Sequence, residues 1–543
     1  MHWFIFVPWL WALRPGDTSG NVVISYLGGV VAIHTLFFWL QESIVRFSNL
    51  PPYLAFQCVF VFAVFTGIPY ALFFGLVHPL RKRLGAWWVA LLPAIWVAVE
   101  LVQPALFPYY QGVSQYRNTY AYQLASVTGI YGVTYLLVLT NCALGELVYR
   151  LRERRGVPWA VLLGTAVVFL GNVGFGAWRY DHVSSQLEDL PHIRTTQLQQ
   201  HVTMEERMST SARDAMLSWQ ELTSKHIRQS VKANEEPVDL VIWPEGSTPY
   251  DPRAYRVGRI MANTARNSRA PVLFGGGFAE PKVDPNTGRQ YYEQRNSIYL
   301  MEQNGELSTR YDKMVPLPFG EYIPGAETFP ILKEWIEGPG DFVAGTEPVV
   351  FTIETQEAGT VRFTTPICYE AIMSSLVRTQ LSDVDLMIVV TNDGWFGDTH
   401  APHQHAMLSA IRAMELGVPQ LRIAYTGVSL NILPNGDIEY ETEPFTEVVR
   451  TIEIPVGRID TVYSHIGDLF AYLCLIVSLG GAVVARRRRP GGSDPESKPS
   501  DPSPATPEEA PVGSSDEARE QQVLDQIRRT TAPTDLVDEE HRR

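Results

Sequence analysis

The chain has 543 residues, which is long enough for two or three domains, and its formal net charge at pH 7 is −14. An acidic chain lacks the positive surface that binds nucleic acid, so we expect no nucleic-acid partner. Hydrophobic residues make up 46% of the chain, but they are concentrated before residue 180, which excludes a single soluble domain.

Five long apolar runs lie in the first 180 residues, and a shorter sixth run lies near the C-terminal end. Each of the five has about 20 residues, the length of a helix that crosses ~30 Å of hydrocarbon. One such run could be a buried core helix, but five in succession predict a multi-pass α-helical membrane region. The six runs are Val22–Leu40, Leu54–Val77, Trp87–Leu106, Leu124–Val148, Trp159–Trp178 and Leu469–Val484.

The first segment, His2–Leu13, is too short for a full span. It could be half a helix, an interfacial segment or the remnant of a start site placed too late. A cleaved signal peptide is disfavoured because a basic leading region and a clear small-residue cleavage site are both missing.

Basic residues in the short loops predict the orientation in the membrane. The clusters Arg81–Arg83, Arg150–Arg155 and Arg486–Arg489 can all lie on the cytoplasmic side without contradicting the number of helices. Residues from about 180 to 465 then lie outside the cytoplasm, which in a bacterium with two membranes is the periplasm.

We therefore expect four regions along the chain. Residues 1–180 form the N-terminal transmembrane helices, with about five full spans and room for one partial span. Residues 190–462 form an extramembrane domain, and residues 467–485 form a C-terminal transmembrane helix. Residues 490–543 form an acidic, Pro-rich tail whose composition predicts disorder.

The extramembrane domain alternates short β-like runs with helical patterns, which favours an α/β layered fold. The β-like runs are Val238–Trp243, Pro271–Phe274, Ser297–Met301, Val349–Ile353, Arg362–Ile367, Leu386–Thr391 and Gln420–Ala424. The helical patterns are Met204–Ala233, Arg253–Asn267 and His405–Leu416.

Cys368 is the one cysteine of this domain, because the other three cysteines lie within apolar runs. It therefore has no disulfide partner there, and its ordinary interpretation is a small buried hydrophobic residue. Cys368 closes the run Arg362–Ile367, however, and a turn after a strand can expose a nucleophile.

Glu245 and Lys313 occupy comparable positions. Glu245 ends the run Val241–Trp243 after Pro244, and a carboxylate beside such apolar sequence is costly to bury without a task or a partner. Lys313 begins a proline-stiffened loop that would hold its ammonium group in one place. Taken singly, Glu245 is more simply interpreted as a charge at the edge of a sheet, and Lys313 as a surface lysine.

The combination resembles the nitrilase superfamily, because Trp-Pro-Glu, Tyr-Asp-Lys and Ile-Cys-Tyr-Glu follow one another in this order. Within that superfamily the chain resembles the apolipoprotein N-acyltransferases. The resemblance implies a nitrilase-like α-β-β-α sandwich as the extramembrane domain. The narrower resemblance rests on Pro318–Pro324, Asn392–Gly397, Gln404-His405, Arg412–Glu415, Arg422 and Thr426–Ser429.

A thiol is a weak nucleophile at its free pKa and needs a base or a nearby cation. Glu245 can accept the proton of Cys368, and Lys313 can stabilise the thiolate and the oxyanion. The resemblance implies that Glu321 supports the site and that Tyr369 and Glu370 line it. We expect three apolar residues near these motifs to line the substrate-binding site: Phe319, Trp395 and Phe396.

We expect no cofactor and no metal ion. The residues Asp398, His400, His403 and His405 could suggest a metal cluster, but their spacing matches no familiar metal motif. We interpret them as a loop and the start of a helix.

The resemblance implies transfer of a fatty acyl chain from a membrane phospholipid, via a thioester on Cys368, to a lipoprotein. The acceptor is the α-amine of the S-diacylglyceryl cysteine at an apolipoprotein N-terminus, and the location is the bacterial inner membrane with the catalytic domain in the periplasm. The alternatives are a membrane-tethered nitrilase-type amidase acting on a small amide and a catalytically idle binding protein. The intact Glu245, Lys313 and Cys368 argue against the idle protein, and helices on both sides of the domain favour a membrane-resident substrate.

Overall fold

The computed structural model describes residues 2–48, 50–103, 107–201, 212–233, 237–248, 250–283, 288–326, 328, 329, 331, 341–381 and 383–487. The predicted disordered tail, residues 490–543, lies outside the described residues. The first part of the predicted helix Met204–Ala233, up to residue 211, also lies outside them.

Among the described residues, ten α-helices precede the first strand, and most of them are rich in apolar residues. They are α1 Val7–Ala12, α2 Thr18–Leu36, α3 Leu40–Ser48, α4 Pro52–Thr66, α5 Ile68–Leu84, α6 Trp88–Val102, α7 Thr119–Tyr122, α8 Ala125–Thr128, α9 Ile130–Arg152 and α10 Trp159–Glu188.

Five helical stretches of the described chain are long and apolar enough to cross a membrane. One of them, Pro52–Val102, covers the predicted run Leu54–Val77 and most of the run Trp87–Leu106. Within it α4 and α5 follow each other across Gly67, and α6 packs against α5 after a turn at Gly85. The five stretches are Thr18–Leu36, Pro52–Val102, Ile130–Arg152, Trp159–Glu188 and Leu469–Arg487.

The N-terminal segment is a short helix that packs inside the bundle. Phe6 and Leu10 are buried, and the backbone N–H of Phe6 donates to Asn141 Oδ1 of α9 at 2.9 Å. Leu10 also packs on Gly145, where a Cβ atom would lie 2.5 Å from a methyl carbon of Leu10. The segment is therefore a short helix held against α9.

The two ends of the helical bundle differ in their partners. At one end, Arg81 and Arg150 each form a 2.9 Å ion pair with Glu146. At the other end, the first residue of α9, Ile130, donates its backbone N–H to Glu415 of the extramembrane domain at 2.8 Å. Arg81 and Arg150 thus lie at the end of α9 opposite the extramembrane domain.

The extramembrane domain contains twelve described strands in two sheets of six. The strands are β1 His192–Gln199, β2 Leu240–Ile242, β3 Val272–Val283, β4 Gln290–Met301, β5 Leu307–Asp312, β6 Phe351–Glu354, β7 Thr360–Thr364, β8 Leu386–Thr391, β9 Gln420–Ala424, β10 Leu430–Ile432, β11 Ile438–Glu441 and β12 Val448–Pro455. The first sheet has the order β12-β1-β2-β3-β4-β5, and the second has the order β11-β10-β9-β8-β7-β6.

Six more α-helices follow the first strand in the described part of the chain. They are α11 Ala212–Ala233, α12 Tyr255–Ser268, α13 Ser374–Gln380, α14 Ala401–Leu416, α15 Val462–Ile466 and α16 Leu469–Arg487.

The domain core lies between the two sheets, where apolar side chains such as Ile242, Leu273, Ile388 and Ile423 face one another. The other face of the first sheet packs against α11 and α12, and that of the second sheet packs against α13 and α14. This arrangement is the predicted α-β-β-α sandwich, which is confirmed.

Strand direction determines where the candidate residues lie. In the first sheet β2 and β3 are parallel, and the antiparallel strand β4 makes β5 parallel to β3. In the second sheet β7, β8 and β9 are parallel. The carboxyl ends of these strands therefore share one edge of the sandwich, which is where α/β proteins gather their sites.

Candidate active site

Glu245, Lys313 and Cys368 follow three different strands and meet at this shared edge. Glu245 lies three residues after β2, Lys313 immediately follows β5, and Cys368 lies four residues after β7. All three are nearly buried. The Lys313 Nζ lies 3.5 Å from Glu245 Oε1, and both residues are close enough to Cys368 to shift the pKa of its thiol.

Cys368 has an unusual backbone conformation. Its φ angle is +52°, in the left-handed region that non-glycine residues rarely adopt, and it begins the 3₁₀ turn Cys368–Ile372. Such strain persists only where the surroundings enforce it, and it concentrates at functional sites. The turn is held by Glu370, whose carboxylate accepts the backbone N–H of Ile367 at 2.7 Å.

Lys313 is buried between two carboxylates. Its Nζ lies 2.8 Å from Glu321 Oε2, in addition to the longer contact with Glu245. Although burial alone lowers the pKa of Lys313, Glu321 and Glu245 raise it above its usual range. Lys313 therefore carries a fixed positive charge beside the thiol, as stabilisation of an oxyanion requires.

The Cys368 thiol is protonated at neutral pH in this environment. Burial raises the pKa of Cys368 above its usual range, Glu245 raises it further, and Lys313 opposes the shift. A preformed thiolate is therefore disfavoured. The arrangement suits a reaction in which a base removes the proton as the sulfur attacks.

Asn296 joins the two carboxylates and was not among the residues predicted from the sequence. Its Nδ2 donates to Glu245 Oε1 and to Glu321 Oε1, both at 2.7 Å. The backbone N–H of Asn392 donates to the other oxygen of Glu245 at 2.7 Å. Glu245 is thus held by donors on both oxygens.

Glu370 lies behind the site and does not line its surface. It is fully buried, and its carboxylate accepts the backbone N–H groups of Met314, Val315 and Ile367. Burial raises the pKa of Glu370 to about 7 against the opposing effect of its hydrogen-bond donors. Glu370 thereby connects the loop after Lys313 to the segment that precedes Cys368.

Glu321 closes the loop that follows Lys313. Its Oε2 accepts the backbone N–H of Leu317 at 2.6 Å, so the loop folds back on itself. At the tip, Phe319 has a φ angle of +62°, and its side chain is 49% exposed. A bulky residue held in this conformation with an exposed ring is an outlier that indicates a functional loop.

An apolar cavity of about 490 Å³ lies between this loop and the helices α3 and α4, within the size range of ligand pockets. Ser43 is the one polar side chain that the described residues contribute to its wall. Phe319 and Phe396 line the cavity, whereas Trp395 is half-buried and does not. The other lining residues are Trp39, Leu40, Ile44, Leu50, Cys58, Val59, Val61, Phe62, Phe107, Leu317, Pro318 and Gly320.

Aromatic contacts connect the cavity to the residue after Cys368. Phe107 packs edge-on against Phe396 and Tyr369, and the centres of the rings lie 6.2 Å and 5.6 Å apart, respectively. Burial raises the pKa of the Tyr369 hydroxyl to about 12, so this side chain stays neutral. The cavity wall thus contacts Tyr369, the residue that follows Cys368.

His405 is the buried member of the histidine group that the sequence analysis set aside. His403 is exposed, and His400 precedes α14 as its N-cap residue. Cys368, Asp393 and His405 place potential ligand atoms within 4.8 Å of one another, and they are the one such group among the described residues. Both ring nitrogens of His405 already face hydrogen-bonding partners, and the expectation that no metal is required stays a prediction.

Two family descriptions match the chain. Residues 1–143 match the apolipoprotein N-acyltransferase N-terminal domain, and residues 194–463 match carbon-nitrogen hydrolase. The second match covers the sandwich from β1 to α15.

Relatives named apolipoprotein N-acyltransferase match most of the chain. The protein from Rhodopseudomonas palustris is 30% identical over 465 residues, which cover 84% of this chain and 81% of its own length. Those from Geobacter metallireducens and Bdellovibrio bacteriovorus are 27% and 28% identical, and each match covers 90% of this chain and 91% of the relative. Together with the five apolar helical stretches, these matches identify a bacterial membrane protein. The chain belongs to the apolipoprotein N-acyltransferase family and is an acyltransferase.

Proposed function

We propose that this protein transfers a fatty acyl chain from a membrane phospholipid to the N-terminus of an apolipoprotein. The acceptor is the α-amine of the S-diacylglyceryl cysteine, and the intermediate is a thioester on Cys368. Residues 190–462 form the catalytic domain in this proposal, with Cys368 as nucleophile, Glu245 as proton acceptor and Lys313 as oxyanion stabiliser.

The apolar cavity is the observation that carries this proposal. It lies between the membrane helices and the loop that follows Lys313, and its wall is almost entirely apolar. An amidase for a small polar amide has no use for such a wall, whereas an acyl chain gains about 0.8 kcal/mol for each buried CH₂ group. The cavity therefore favours a lipid donor.

The first half-reaction forms the thioester. Glu245 accepts the proton of the Cys368 thiol as the sulfur attacks the ester carbonyl carbon, and Lys313 stabilises the negative oxygen that develops. The ester C–O bond then breaks, and Glu245 returns the proton to the departing oxygen. The products are a lysophospholipid and an acyl group bound to Cys368.

The second half-reaction transfers the acyl group to the lipoprotein. The neutral α-amine attacks the thioester carbonyl carbon, and Glu245 accepts the proton that the nitrogen loses. The C–S bond breaks, and the sulfur recovers its proton from Glu245. Water must be kept from the thioester until the amine arrives, and the aromatic wall formed by Phe107, Phe319 and Phe396 supports such shielding.

The inner membrane, with the catalytic domain in the periplasm, is the location we propose. The basic clusters Arg81–Arg83 and Arg150–Arg155 lie at the end of the bundle opposite the domain, which supports their cytoplasmic placement. Reporter fusions after Gly305 and after Ser500 should report opposite compartments. The same compartment for both fusions would contradict this orientation.

Intact-mass analysis of the detergent-purified enzyme tests the mechanism. Incubation with phospholipid alone should add one acyl group to Cys368, and hydroxylamine should remove it. Addition of a diacylglyceryl-cysteine peptide should discharge the thioester into N-acyl product. Cys474→Ala, in a membrane helix outside the site, is the matched control for Cys368→Ala.

Two results would contradict the acyltransferase mechanism. The first is an adduct on a serine or a lysine, or no adduct at all, after incubation with phospholipid. The second is rapid release of free fatty acid that does not depend on the peptide amine, which would favour the hydrolase.

A further inference from the structure

A buried chain of polar side chains lies behind Cys368, and the two proposed half-reactions leave it without a role. His405 comes from α14, Asp393 follows β8, and Arg422 comes from β9. The His405 Nδ1 lies 2.8 Å from Asp393 Oδ1, and Arg422 Nη2 donates to Asp393 Oδ2 at 2.9 Å. All three side chains are buried, so the arrangement excludes a solvated surface cluster.

The chain ends on the backbone of the nucleophile. The His405 Nε2 lies 3.3 Å from the carbonyl oxygen of Cys368. A carbonyl oxygen only accepts hydrogen bonds, so Nε2 carries the hydrogen and donates it. This nitrogen is thereby engaged with the backbone and is not available as the base for the thiol.

The carbonyl oxygen of Cys368 and the amide of Tyr369 belong to one peptide unit. That unit is planar and trans, so its C=O and N–H groups point in opposite directions. A hydrogen bond that holds the carbonyl oxygen against His405 therefore directs the Tyr369 N–H away from His405. Because Cys368 has a φ angle of +52°, this peptide needs external contacts to keep its orientation.

We propose that His405 is a positioning residue that orients the Cys368–Tyr369 peptide, so that the Tyr369 amide acts with Lys313 on the oxyanion. Asp393 fixes the imidazole ring, and Arg422 fixes Asp393. The inference rests on the proposed function, because it assigns His405 to the tetrahedral intermediate on Cys368.

The groups around His405 are consistent with this role. The Nδ1 atom faces the carboxylate of Asp393 and lies 3.1 Å from Arg422 Nη2, and the ring packs edge-on against Phe396 at 5.8 Å. Thr391 donates its hydroxyl to Asp393 Oδ1 at 2.8 Å. The imidazole is therefore held from both sides, and Nε2 is left directed at the Cys368 carbonyl oxygen.

Two reactions of the same thiol separate this role from a general structural one. Alkylation of Cys368 by iodoacetamide displaces iodide at an sp³ carbon and develops no oxyanion. Acylation by phospholipid passes through a tetrahedral oxyanion. A residue that positions an oxyanion-hole amide affects acylation alone, whereas a residue that shapes the thiol or the fold affects both.

The experiment compares His405→Leu, which lacks a donor, with His405→Gln, whose side-chain amide can donate to the same carbonyl oxygen. His403→Leu, at an exposed position of the same helix, is the matched control. The rates of thioester formation and of Cys368 alkylation are measured by mass spectrometry on each detergent-purified full-length variant.

We expect His405→Leu to slow thioester formation by about 10- to 100-fold, less than the roughly 10²- to 10³-fold cost of removing an oxyanion donor outright. Alkylation should stay within about twofold of wild type, and His405→Gln should recover most of the acylation rate. Parallel loss of both reactions, no acylation defect, or equal defects in the Leu and Gln variants would each overturn the inference. Failure of the wild-type enzyme to form any thioester would instead contradict the proposed function.

Discussion

Replacing Asn296 tests how much of the site depends on a residue that neither titrates nor attacks. Its side chain makes two 2.7 Å hydrogen bonds, to Glu245 and to Glu321. A hydrogen bond to a charged group contributes about 1.5–3 kcal/mol. Glu245 keeps the backbone donor from Asn392 in Asn296→Ala, so one such bond is lost from the proposed base.

A loss of this size corresponds to a rate decrease of roughly 10- to 150-fold. Asn296→Asp should be worse at neutral pH, because it places a third carboxylate beside Glu245 and Glu321. That repulsion requires one of the three groups to hold a proton. The Asp variant should therefore recover part of its activity as the pH is lowered, whereas the Ala variant should not.

The assay is the rate of thioester formation on Cys368 over a range of phospholipid concentrations, which separates kcat from KM. Asn304→Ala, at the exposed turn between β4 and β5, is the control for a generic effect of losing an asparagine. Asn296→Asp at the wild-type rate, or Asn296→Ala with a raised KM and an unchanged kcat, would refute the role of Asn296 in holding the base.

Three further predictions follow from the same contacts. Cys368→Ser should form almost no acyl-enzyme, measured as the acyl adduct by intact mass, because a hydroxyl ionises far less readily than a thiol. Phe396→Ala should raise the KM for phospholipid, since the ring lines the cavity and packs on Trp39 at 5.1 Å; an unchanged KM would exclude the cavity as the donor site. Although burial alone raises the pKa of Asp393, Arg422 and His405 lower it to about 2, from an ordinary 3.8. The ionised carboxylate therefore stabilises the folded state above pH 4, and about 2 kcal/mol of that stabilisation is lost as the pH falls towards 2. Thermal unfolding in detergent should therefore be less acid-sensitive between pH 4 and 2 in Asp393→Asn than in wild type.

The sequence predicted the elements whose burial is uniform. The runs Leu386–Thr391 and Gln420–Ala424 match β8 and β9 residue for residue, because every position in them is buried and apolar residues dominate. The strands β3 and β4 extend well beyond the predicted Pro271–Phe274 and Ser297–Met301. Their outer halves are more exposed and mix polar with apolar residues, so pairing with each other, and not an apolar pattern, determines their length.

The membrane region shows the same limit. The run Val22–Leu40 was predicted as one span, but α2 ends at Leu36 and the chain continues into the separate helix α3. The indole of Trp39 donates to Gln404 at 3.0 Å, and Gln404 donates to the carbonyl oxygen of Leu36 at 3.3 Å. The helix thus ends where it contacts Gln404, a residue more than 360 positions away, and a hydropathy pattern contains no information about such contacts.

The contacts of Asn296 and His405 were not predicted, for a related reason. Both are polar residues whose roles depend on partners from other strands and helices: Glu245 and Glu321 for Asn296, and the backbone of Cys368 for His405. A buried polar side chain requires such partners, but the sequence does not say which ones. Glu245 and Cys368 were easier to find because each follows a predicted strand-like run, whereas Lys313 was found through the order of the Trp-Pro-Glu, Tyr-Asp-Lys and Ile-Cys-Tyr-Glu motifs.

The charges around Cys368 are consistent with a thiol that stays unreactive until the proposed lipid substrate binds. The charged side chains in contact with one another are Glu245, Glu321 and Lys313, two carboxylates and one ammonium. Burial, Glu245 and Asp393 raise the pKa of the Cys368 thiol against the opposing effect of Lys313, so the thiol stays protonated at neutral pH. A protonated thiol reacts slowly with stray electrophiles. In the proposed mechanism, attack depends on proton transfer to Glu245 when an ester carbonyl lies beside Lys313, and an acyl chain in the apolar cavity would hold the ester there.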